Sequence, residues 1–265
     1  MTNPLEAGLA EVRVDRSGVP EPDWVAVEEP LEIRLDDEPL VVTMRTPGQD
    51  RELAAGFLWS EGIVTDLRHI EAIEPCVDPM AYDPDNVVFV RLSETARCNA
   101  EQISQARRDF TAVAACGLCG KARLEDVYQR LPEIPPLECS IDFLRRLPER
   151  MRPEQNLFDR TGGIHAAALF DVDGRLLAVA EDIGRHNAVD KLIGRSLLAD
   201  ELPWHDRIVI VSARAGFEIV QKALMAGAPV LGSVGAASSL AVSLAKQGGM
   251  ALYSFLGPRH GHRYV

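Results

Sequence analysis

Hydrophobic and polar residues alternate near the beginning of the chain. Leu31, Ile33 and Leu35 are separated by polar residues, an acidic turn follows, and the next largely apolar run spans residues 40–43. A period of two is that of a strand with one buried face. We therefore predict a β-hairpin over residues 31–46.

The next segment has helical periodicity. Apolar residues recur at helical spacing over residues 53–58, which predicts a helix with Asp50 as its N-cap and Gly62 at its end. Two further strands are predicted at residues 70–77 and 87–92, on either side of a turn rich in Pro and Asp. These elements indicate a smaller N-terminal α+β lobe.

Helices and strands alternate in the second half of the chain. A helix at 122–130 and a helix capped by Ser140 come first, followed by a hairpin that turns at Asp173-Gly174. The later predicted helices span residues 185–199, 217–226 and 238–246, and the later predicted strands span residues 208–211, 229–234 and 250–255. This alternation indicates an α/β fold with a partly parallel sheet, in which ligands bind at the carboxyl ends of the strands.

The predicted elements divide the chain into four segments. We expect residues 1–28 to form a partly flexible N-terminal extension and residues 29–115 to form the α+β lobe. Residues 116–155 hold a Cys-x-x-Cys loop and a helical connection, and residues 156–265 form the C-terminal α/β lobe.

Composition and charge narrow the functional classes. Of the 265 residues, 46% are hydrophobic and 26% are charged, which is typical of a globular protein. The net charge of -12 argues against broad binding to nucleic acid or anionic membranes, since both need a basic surface. No apolar run reaches the length of a membrane span and the first residues lack a signal-peptide pattern, so we expect a cytoplasmic protein. Any anionic ligand must meet a local basic cluster.

The five cysteines are too few and too scattered for a disulfide framework, so we expect thiols. Cys116 and Cys119 stand in the segment Cys-Gly-Leu-Cys-Gly, which Lys121 and Arg123 follow. A helix start and nearby cations lower the pKa of a thiol and favour the reactive thiolate. The glycines leave room for another molecule to approach the sulfur. We predict that Cys116 is a chemically working thiol.

Four interpretations compete for this cysteine pair. A plain turn does not explain the glycines around paired cysteines. A structural zinc site needs about four ligands, and only His165 and His186 are available to complete one, so we predict no metal. A thioredoxin-like dithiol and a persulfide carrier, in which Cys116 holds sulfane sulfur and Cys119 assists, both fit the pattern. The residues alone leave these two open.

Basic residues occur where a helix or a strand end can hold an anion. Arg185 and His186 begin a predicted helix, whose free backbone N–H groups suit a phosphate. Arg214 directly follows the buried strand, at a position where ligands are expected. A polar helix face and an ordinary ion pair are the plain alternatives. The loop at 161–165 and the basic tail at 258–264 are each either a ligand-binding segment or ordinary surface.

Several segments together resemble one known family. They are residues 45–48, 52–58, 61–63, 116–120, 161–167, 181–194 and 217–223. The stretch 181–194 is long enough to be specific, unlike the cysteine pair alone. From about Leu31 onward the chain resembles the formate dehydrogenase accessory protein family of sulfurtransferases, including its nitrate-assimilation relatives.

The resemblance implies a function. Such sulfurtransferases accept persulfide sulfur from a cysteine desulfurase and deliver it to the molybdenum or tungsten bis-pterin guanine dinucleotide cofactor, Mo-bis(molybdopterin guanine dinucleotide). This cofactor is a bound substrate, and its sulfuration makes the formate dehydrogenase catalytic subunit active. A non-catalytic chaperone that protects the cofactor or the apoenzyme is the alternative.

The resemblance also implies a fold and an assembly. The expected fold is a cytidine-deaminase-like mixed sheet with flanking helices, without zinc chemistry, plus the smaller N-terminal α+β lobe. The expected assembly is a homodimer.

Site residues follow from the positions that match. Cys116 corresponds to the persulfide cysteine and Cys119 to the second cysteine of the family. The cofactor-contacting stretch near the C-terminus corresponds to Phe255, Leu256, Gly257, Pro258, Arg259 and His260. The expected phosphate contacts are the cationic residues Arg185, His186, Arg214 and Arg259.

This sequence departs from the family pattern in two places. Gly257 stands where the usual Gly-Phe-x-Arg has its arginine, so Arg259 is expected to replace that arginine from a shifted position. Gly235 and Ala237 stand where Ser and Pro are usual. These departures concern cofactor binding more than sulfur chemistry.

Overall fold

The computed structural model of the chain describes residues 7–16, 19–78, 83–97 and 131–265. Cys116, Cys119 and the helix predicted at 122–130 lie outside these residues. Three β-sheets, of two, four and six strands, organise the part that is described. Within that part, no helix is long and apolar enough to cross a membrane.

An antiparallel hairpin begins the described chain. Its strands are β1, Leu9–Arg16, and β2, Val19–Ala26. Sequence patterns assigned no element here, because β2 contains Pro20 and Pro22, which argue against a strand. The guanidinium of Arg160 lies 4.4 Å from the centre of the Trp24 ring, so a cation–π contact links the hairpin to the C-terminal lobe.

The four-stranded sheet packs against one helix. The strands are β3 Glu29–Leu35, β4 Glu38–Arg45, β5 Ile70–Pro75 and β6 Val87–Leu92, in the order β4-β3-β6-β5, and the helix is α1, Asp50–Ser60. Leu31, Ile33 and Leu35 are buried against Leu53 and Leu58 of α1. The predicted hairpin, helix and strand pair are confirmed.

Asp50 is not the N-cap of α1, so that prediction was wrong. The helix begins at Asp50, and the N-cap position belongs to Gln49, whose left-handed backbone (φ 59°) offers no side-chain cap. The carboxylate of Asp50 instead accepts hydrogen bonds from the buried guanidinium of Arg45, with Nε 2.9 Å from Oδ1. A buried arginine needs an anionic partner, and this demand outweighs capping.

In the described part of the chain, four short α-helices lie between the last strand of the four-stranded sheet and the first strand of the six-stranded sheet. They are α2 Glu94–Arg97, α3 Ile141–Leu144, α4 Leu147–Met151 and α5 Asn156–Thr161. Ser140 caps α3 as predicted, because its hydroxyl accepts the N–H of Phe143 at 3.2 Å.

The six-stranded sheet is the centre of the C-terminal lobe. Its strands are β7 His165–Asp171, β8 Leu176–Asp182, β9 Arg207–Val211, β10 Val230–Ser233, β11 Ala251–Gly257 and β12 His260–Arg263, in the order β12-β11-β10-β9-β7-β8. β9, β10 and β11 are parallel, whereas β7 and β12 run the opposite way. The predicted partly parallel sheet is confirmed, and much of the basic tail forms the edge strand β12.

Helices cover both faces of this sheet. One face packs against α6 Arg185–Leu198, α7 Phe217–Met225 and α8 Ser239–Gln247. The other face packs against α3 and α4, through Phe170, Ile210 and Tyr253. Residues on the strands alternate between these two cores, which is why the sheet strands are almost continuously apolar.

Two glycines allow helix α1 to cross helix α6 at close range. A methyl group on Gly56 would overlap the backbone carbonyl oxygen of Asp190, and a methyl group on Gly194 would overlap that of Glu52. No side chain separates the two backbones at this point. The crossing joins the four-stranded sheet to the six-stranded sheet.

A buried ion pair lies beside this crossing. The Nζ of Lys191 is 2.7 Å from Oδ2 of Asp182, and both side chains are at most 2% exposed. The same ammonium donates to the carbonyl oxygen of Thr46 at 2.8 Å, and the N–H of Thr46 donates to Asp182 at 3.2 Å. Asn187 donates to the carbonyl oxygen of Met44 at 2.7 Å, so the contacts bind β4 and the turn after it to α6.

A second buried ion pair links α6, α7 and α1. The Nζ of Lys222 is 2.8 Å from Oδ2 of Asp190, and the hydroxyl of Ser60 donates to Asp190 at 2.7 Å. Burial opposes the charged ammonium, but the carboxylates of Asp190 and Glu61 outweigh it and raise the pKa of Lys222. Lys222 is therefore charged at neutral pH.

We predict that Gly56→Ala destabilises the fold. In an ordinary helix this change stabilises by about 1 kcal/mol, because alanine has the higher helix propensity. Here the methyl group meets the Asp190 carbonyl oxygen, and we expect the free energy of unfolding to fall by about 3 kcal/mol or more. Urea denaturation followed by circular dichroism measures it. The control is Gly163→Ala, where a methyl group meets only ordinary contact distances, and equal stability losses in the two variants would contradict the prediction.

We predict that Lys191→Met costs about 3–5 kcal/mol of unfolding free energy, because it leaves the Asp182 carboxylate buried without its counter-ion. The double variant Asp182→Asn, Lys191→Met should recover part of this loss, and a double-mutant cycle in urea measures the coupling. Arg68→Gln removes an exposed ion pair with Asp66 and should leave the denaturation midpoint unchanged. Equal midpoints for Lys191→Met and Arg68→Gln would refute a role for the buried pair.

Candidate functional site

One edge of the six-stranded sheet collects the ends of four strands. β8 pairs antiparallel with β7, and β7 pairs antiparallel with β9, so β8 runs in the same direction as β9, β10 and β11. Their carboxyl ends therefore meet at one edge, together with His165 at the start of β7. This is the edge at which ligands bind in sheets of this type.

Three helices begin at the same edge. The first residues of α6, α7 and α8 follow the ends of β8, β9 and β10, with Gly184, Gly216 and Ser238 in the N-cap positions. The free N–H groups of a helix N-terminus carry partial positive charge. The edge is thus built to hold an anion, provided that room is left between the helices.

A cavity of about 260 Å³ occupies that room. Its lining comes from the first residue of α6, the loop after β9 and the loop after β10: Arg185, Arg214, Ala215, Gly216, Ala236, Ala237 and Ser238. The two loops hold each other, since the N–H of Ala215 donates to Ala236 at 3.0 Å and the N–H of Ser238 donates to Ala215 at 3.1 Å. We call this space the arginine cavity.

Arg185 and Arg214 supply its charge. They stand 29 positions apart in the sequence, and parallel strand pairing places both on one cavity wall. Among the residues that the structure describes, neither guanidinium has a hydrogen bond or an ion pair. Two guanidinium groups and helix N-termini make a local positive field in a chain whose net charge is -12.

His186 is directed elsewhere. Its Nε2 lies 2.8 Å from Oε2 of Glu218 in the first turn of α7, and it does not line the arginine cavity. The structure therefore brings together two of the four predicted phosphate contacts, Arg185 and Arg214, and gives His186 a carboxylate partner.

A larger cavity of about 790 Å³ lies along the same edge. Leu256, Gly257, Pro258 and His260 line it from the C-terminal strands. The opposite wall comes from α4, α5 and the residues near them, among them Met151, Arg152 and Phe158. We call this space the apolar cavity, because apolar side chains form much of its wall.

Two predicted residues of the C-terminal stretch line neither cavity. Phe255 adopts a positive φ of 54°, and its ring makes an edge contact with His262 at 5.1 Å between centres. Arg259 is exposed at the turn between β11 and β12. Four of the six residues of the stretch therefore share the apolar cavity, and these two lie beside it.

Most of the stretch 181–191 faces the protein interior. Glu181 accepts the N–H groups of Leu157 and Phe158, each at 2.9 Å, and thereby anchors α5 beside the apolar cavity. Asp182 and Lys191 form the buried pair, so Arg185 is the residue of this stretch that reaches the arginine cavity. Most residues of this stretch therefore hold the two lobes and α5 together, and do not line the arginine cavity.

His165 ends the loop at 161–165, which the sequence left open as either a ligand-binding segment or ordinary surface, and it was not among the predicted site residues. It lines the apolar cavity, and no described residue bonds to its imidazole. Burial and then the neighbouring Arg185 and His186 lower its pKa, against the opposing effect of Asp182. The signal in the sequence was its position at a strand start, which also suits a structural histidine.

The residues of α4 and α5 that line the apolar cavity carry no motif, so only tertiary structure reveals them. In the described ranges, no group of three or more His, Cys, Asp or Glu side chains is placed to hold a metal ion.

Known proteins are similar to this chain in sequence and in fold. The FdhD/NarQ family model matches residues 26–264. The sulfur carrier protein FdhD of Streptomyces coelicolor is 48% identical over 241 residues, covering 89% of this chain and 84% of the relative. That of Mycobacterium tuberculosis is 47% identical over 243 residues, covering 89% and 87%.

A solved structure shows the same fold. It is described as a formate dehydrogenase accessory protein from Desulfotalea psychrophila, with a TM-score of 0.72 and 22% identity, covering 97% of this chain and 95% of that chain. The mixed sheet with flanking helices is therefore an architecture already seen in a crystal. On the family match and the close relatives, this chain belongs to the FdhD/NarQ family.

Proposed function

We propose that this protein is a sulfur carrier in the maturation of formate dehydrogenase. Its close relatives bear the name sulfur carrier protein FdhD, and they match about nine-tenths of the chain. In this proposal the Cys116 thiolate attacks the outer sulfur of the persulfide on a cysteine desulfurase, so that a new S–S bond forms on Cys116 while the old one breaks and the desulfurase thiolate leaves. Cys119 assists. The sulfur then passes to Mo-bis(molybdopterin guanine dinucleotide), the bound substrate, and a homodimer is the working assembly.

The observation that carries the proposal is the arginine cavity beside the apolar cavity. The substrate has phosphates joined to flat heterocycles, and its phosphates need cations and backbone donors. Arg185, Arg214 and the helix N-termini meet that need. Leu256, Gly257, Pro258 and His260 border the space that suits a heterocycle. Such a charge distribution explains how an acidic protein holds an anionic substrate.

The proposal includes the predicted site residues that line neither cavity. We propose that Phe255 and Arg259, at the rim beside the apolar cavity, and His186, behind its Glu218 partner, reach the substrate in the complex. We also propose that residues 156–265 form a cytidine-deaminase-like unit and residues 29–115 a separate lobe. The six-stranded sheet and the four-stranded sheet fall on the two sides of that boundary.

We predict that Cys116→Ala abolishes persulfide formation. Purified protein is incubated with a cysteine desulfurase and cysteine, and intact-mass spectrometry should show one added sulfur atom on the wild type and none on the variant. Cys139→Ala is the control, because burial raises the pKa of that thiol and disfavours its thiolate, so sulfur loading should persist. Formate dehydrogenase activity in cells that carry Cys116→Ala should fall to background.

The same variants separate the alternatives. A chaperone without sulfur chemistry would leave formate dehydrogenase fully active in the double variant Cys116→Ala, Cys119→Ala. A thiol-disulfide protein would show a reversible Cys116–Cys119 disulfide in a thiol-trapping titration and no added sulfur after desulfurase treatment.

We predict that Arg185→Gln and Arg214→Gln each weaken binding of guanosine diphosphate, the nucleotide half of the substrate, by about 10- to 100-fold. This corresponds to about 1.5–3 kcal/mol for a lost charge-assisted hydrogen bond. Isothermal titration calorimetry measures the affinity. Arg195→Gln is the matched control, because Arg195 is an exposed arginine in the last turn of the same helix. An equal loss of affinity in Arg195→Gln and Arg185→Gln would mean that only the net charge of the protein matters. That result would contradict the assignment of Arg185 as a phosphate contact.

A further inference from the structure

His165 lines the apolar cavity close to the residues that begin α6: it pairs with Asp182, which accepts the N–H of Gly184, and Arg185 follows Gly184 in the chain. Its imidazole lines the apolar cavity, while the charge of Arg185, which lines the arginine cavity, acts on it. The loop after β9 contributes Ser212 to the apolar cavity and Arg214 to the arginine cavity. His165 and Ser212 of the apolar cavity thus lie close in the fold to Arg185 and Arg214 of the arginine cavity.

Backbone contacts fix His165 in this place. It pairs with Asp182 across β7 and β8, and the next residue, Ala166, donates its N–H to the hydroxyl of Ser212 at 2.9 Å. The N–H of Ser212 donates in return to the carbonyl oxygen of Ala166 at 2.9 Å. The ring has no bonding partner in the described part of the chain, so a ligand can bond to it without displacing a protein group.

Charges face His165 from several elements. Arg185 and His186 act from α6, and Asp182 acts from β8 but already holds Lys191. Glu218 on α7 is occupied by His186. The remaining charged or titratable groups on the two cavity walls are Arg214, Glu149, Arg152 and His260. Cations thus outnumber free carboxylates around the ring.

We propose that His165 contacts the anionic part of the ligand and takes up a proton as that ligand binds. The inference rests on the proposed function in one respect, the placing of an anion between Arg185 and Arg214. It adds a proton-linked residue beside Arg185, which makes the affinity for an anion depend on pH.

Electrostatics determines whether the affinity for an anion rises or falls with pH. In the free protein, burial and then the neighbouring Arg185 and His186 lower the pKa of His165, so the ring is neutral at neutral pH. A bound anion offsets the charge of Arg185 and attracts a proton, which raises the pKa of the ring. Between the free and bound pKa values the ligand binds together with a proton, so its affinity increases as the pH falls through that window.

Nuclear magnetic resonance of protein with labelled histidine rings tests the proposal. The signal that disappears in His165→Gln belongs to His165, and its titration is followed with chloride or with sulfate at equal ionic strength. Sulfate is the probe because it does not titrate near neutral pH, and inorganic pyrophosphate repeats the measurement. We expect sulfate to raise the pKa of His165 by about one unit, a tenfold gain in proton affinity. His205 precedes β9, at the opposite edge of the sheet, and should not shift.

An arginine variant gives a readout that a merely structural histidine would not show. Arg185→Gln removes a cation that acts on the ring, so the pKa of His165 in the free protein should rise and the shift on adding sulfate should shrink. Arg195→Gln should leave both values unchanged.

The outcomes distinguish this inference from the proposed function. If the Nε–H signals of Arg185 and Arg214 respond to both anions while the titration of His165 does not move, the inference is overturned and the arginine cavity stands. If neither guanidinium signal responds to either anion, the phosphate assignment and this inference both fall. The persulfide assay on Cys116 remains independent of both results.

Discussion

The carboxylate of Asp182 is the point on which the arrangement of the described chain depends. It is fully buried and accepts from Thr46, Gly184, Asn187 and Lys191, with distances between 2.7 and 3.3 Å. A buried charge of this kind is costly unless every lone pair is matched, so the four donors must all be in place. These donors come from the turn after β4, the N-cap of α6 and the body of α6. The direction in which α6 leaves β8 is thereby set.

The direction of α6 determines which of its side chains face the N-terminal lobe and which one lines the arginine cavity. Side chains on α6 that point inward, such as Asn187, Asp190 and Lys191, bind the N-terminal lobe, while Arg185 at the outer end of the helix reaches the arginine cavity. The close crossing at Gly56 and Gly194 holds α6 firmly against α1. Buried polar residues that join the lobes and one cavity-lining residue, Arg185, therefore occur within one short stretch, which is why the stretch 181–194 is so dense in polar side chains.

The charge at the arginine cavity differs in sign from the net charge of the chain. The chain has a net charge of -12, yet the edge that gathers the strand ends and helix N-termini presents Arg185 and Arg214 without carboxylate partners in the described residues. Glu218 is turned toward His186, and Asp182 is satisfied by Lys191, so the nearest acids do not neutralise the cavity. Local field and net charge thus have opposite signs, and the local field governs which ligand is attracted.

The sequence by itself determined the family, the α/β class and most element positions. Periodicity depends on local chain geometry, so the β3–β4 hairpin, α1 and the helices and strands of the C-terminal lobe were predictable. The sequence patterns missed the β1–β2 hairpin, whose prolines argue against a strand. They also assigned Asp50 as an N-cap, whereas its carboxylate accepts hydrogen bonds from the buried Arg45. Only tertiary structure brought Arg185 beside Arg214, turned His186 to Glu218, and placed His165 in the wall of the apolar cavity. Those placements follow from strand order and buried charge pairing, which act between residues far apart in the chain and leave no periodic trace in it.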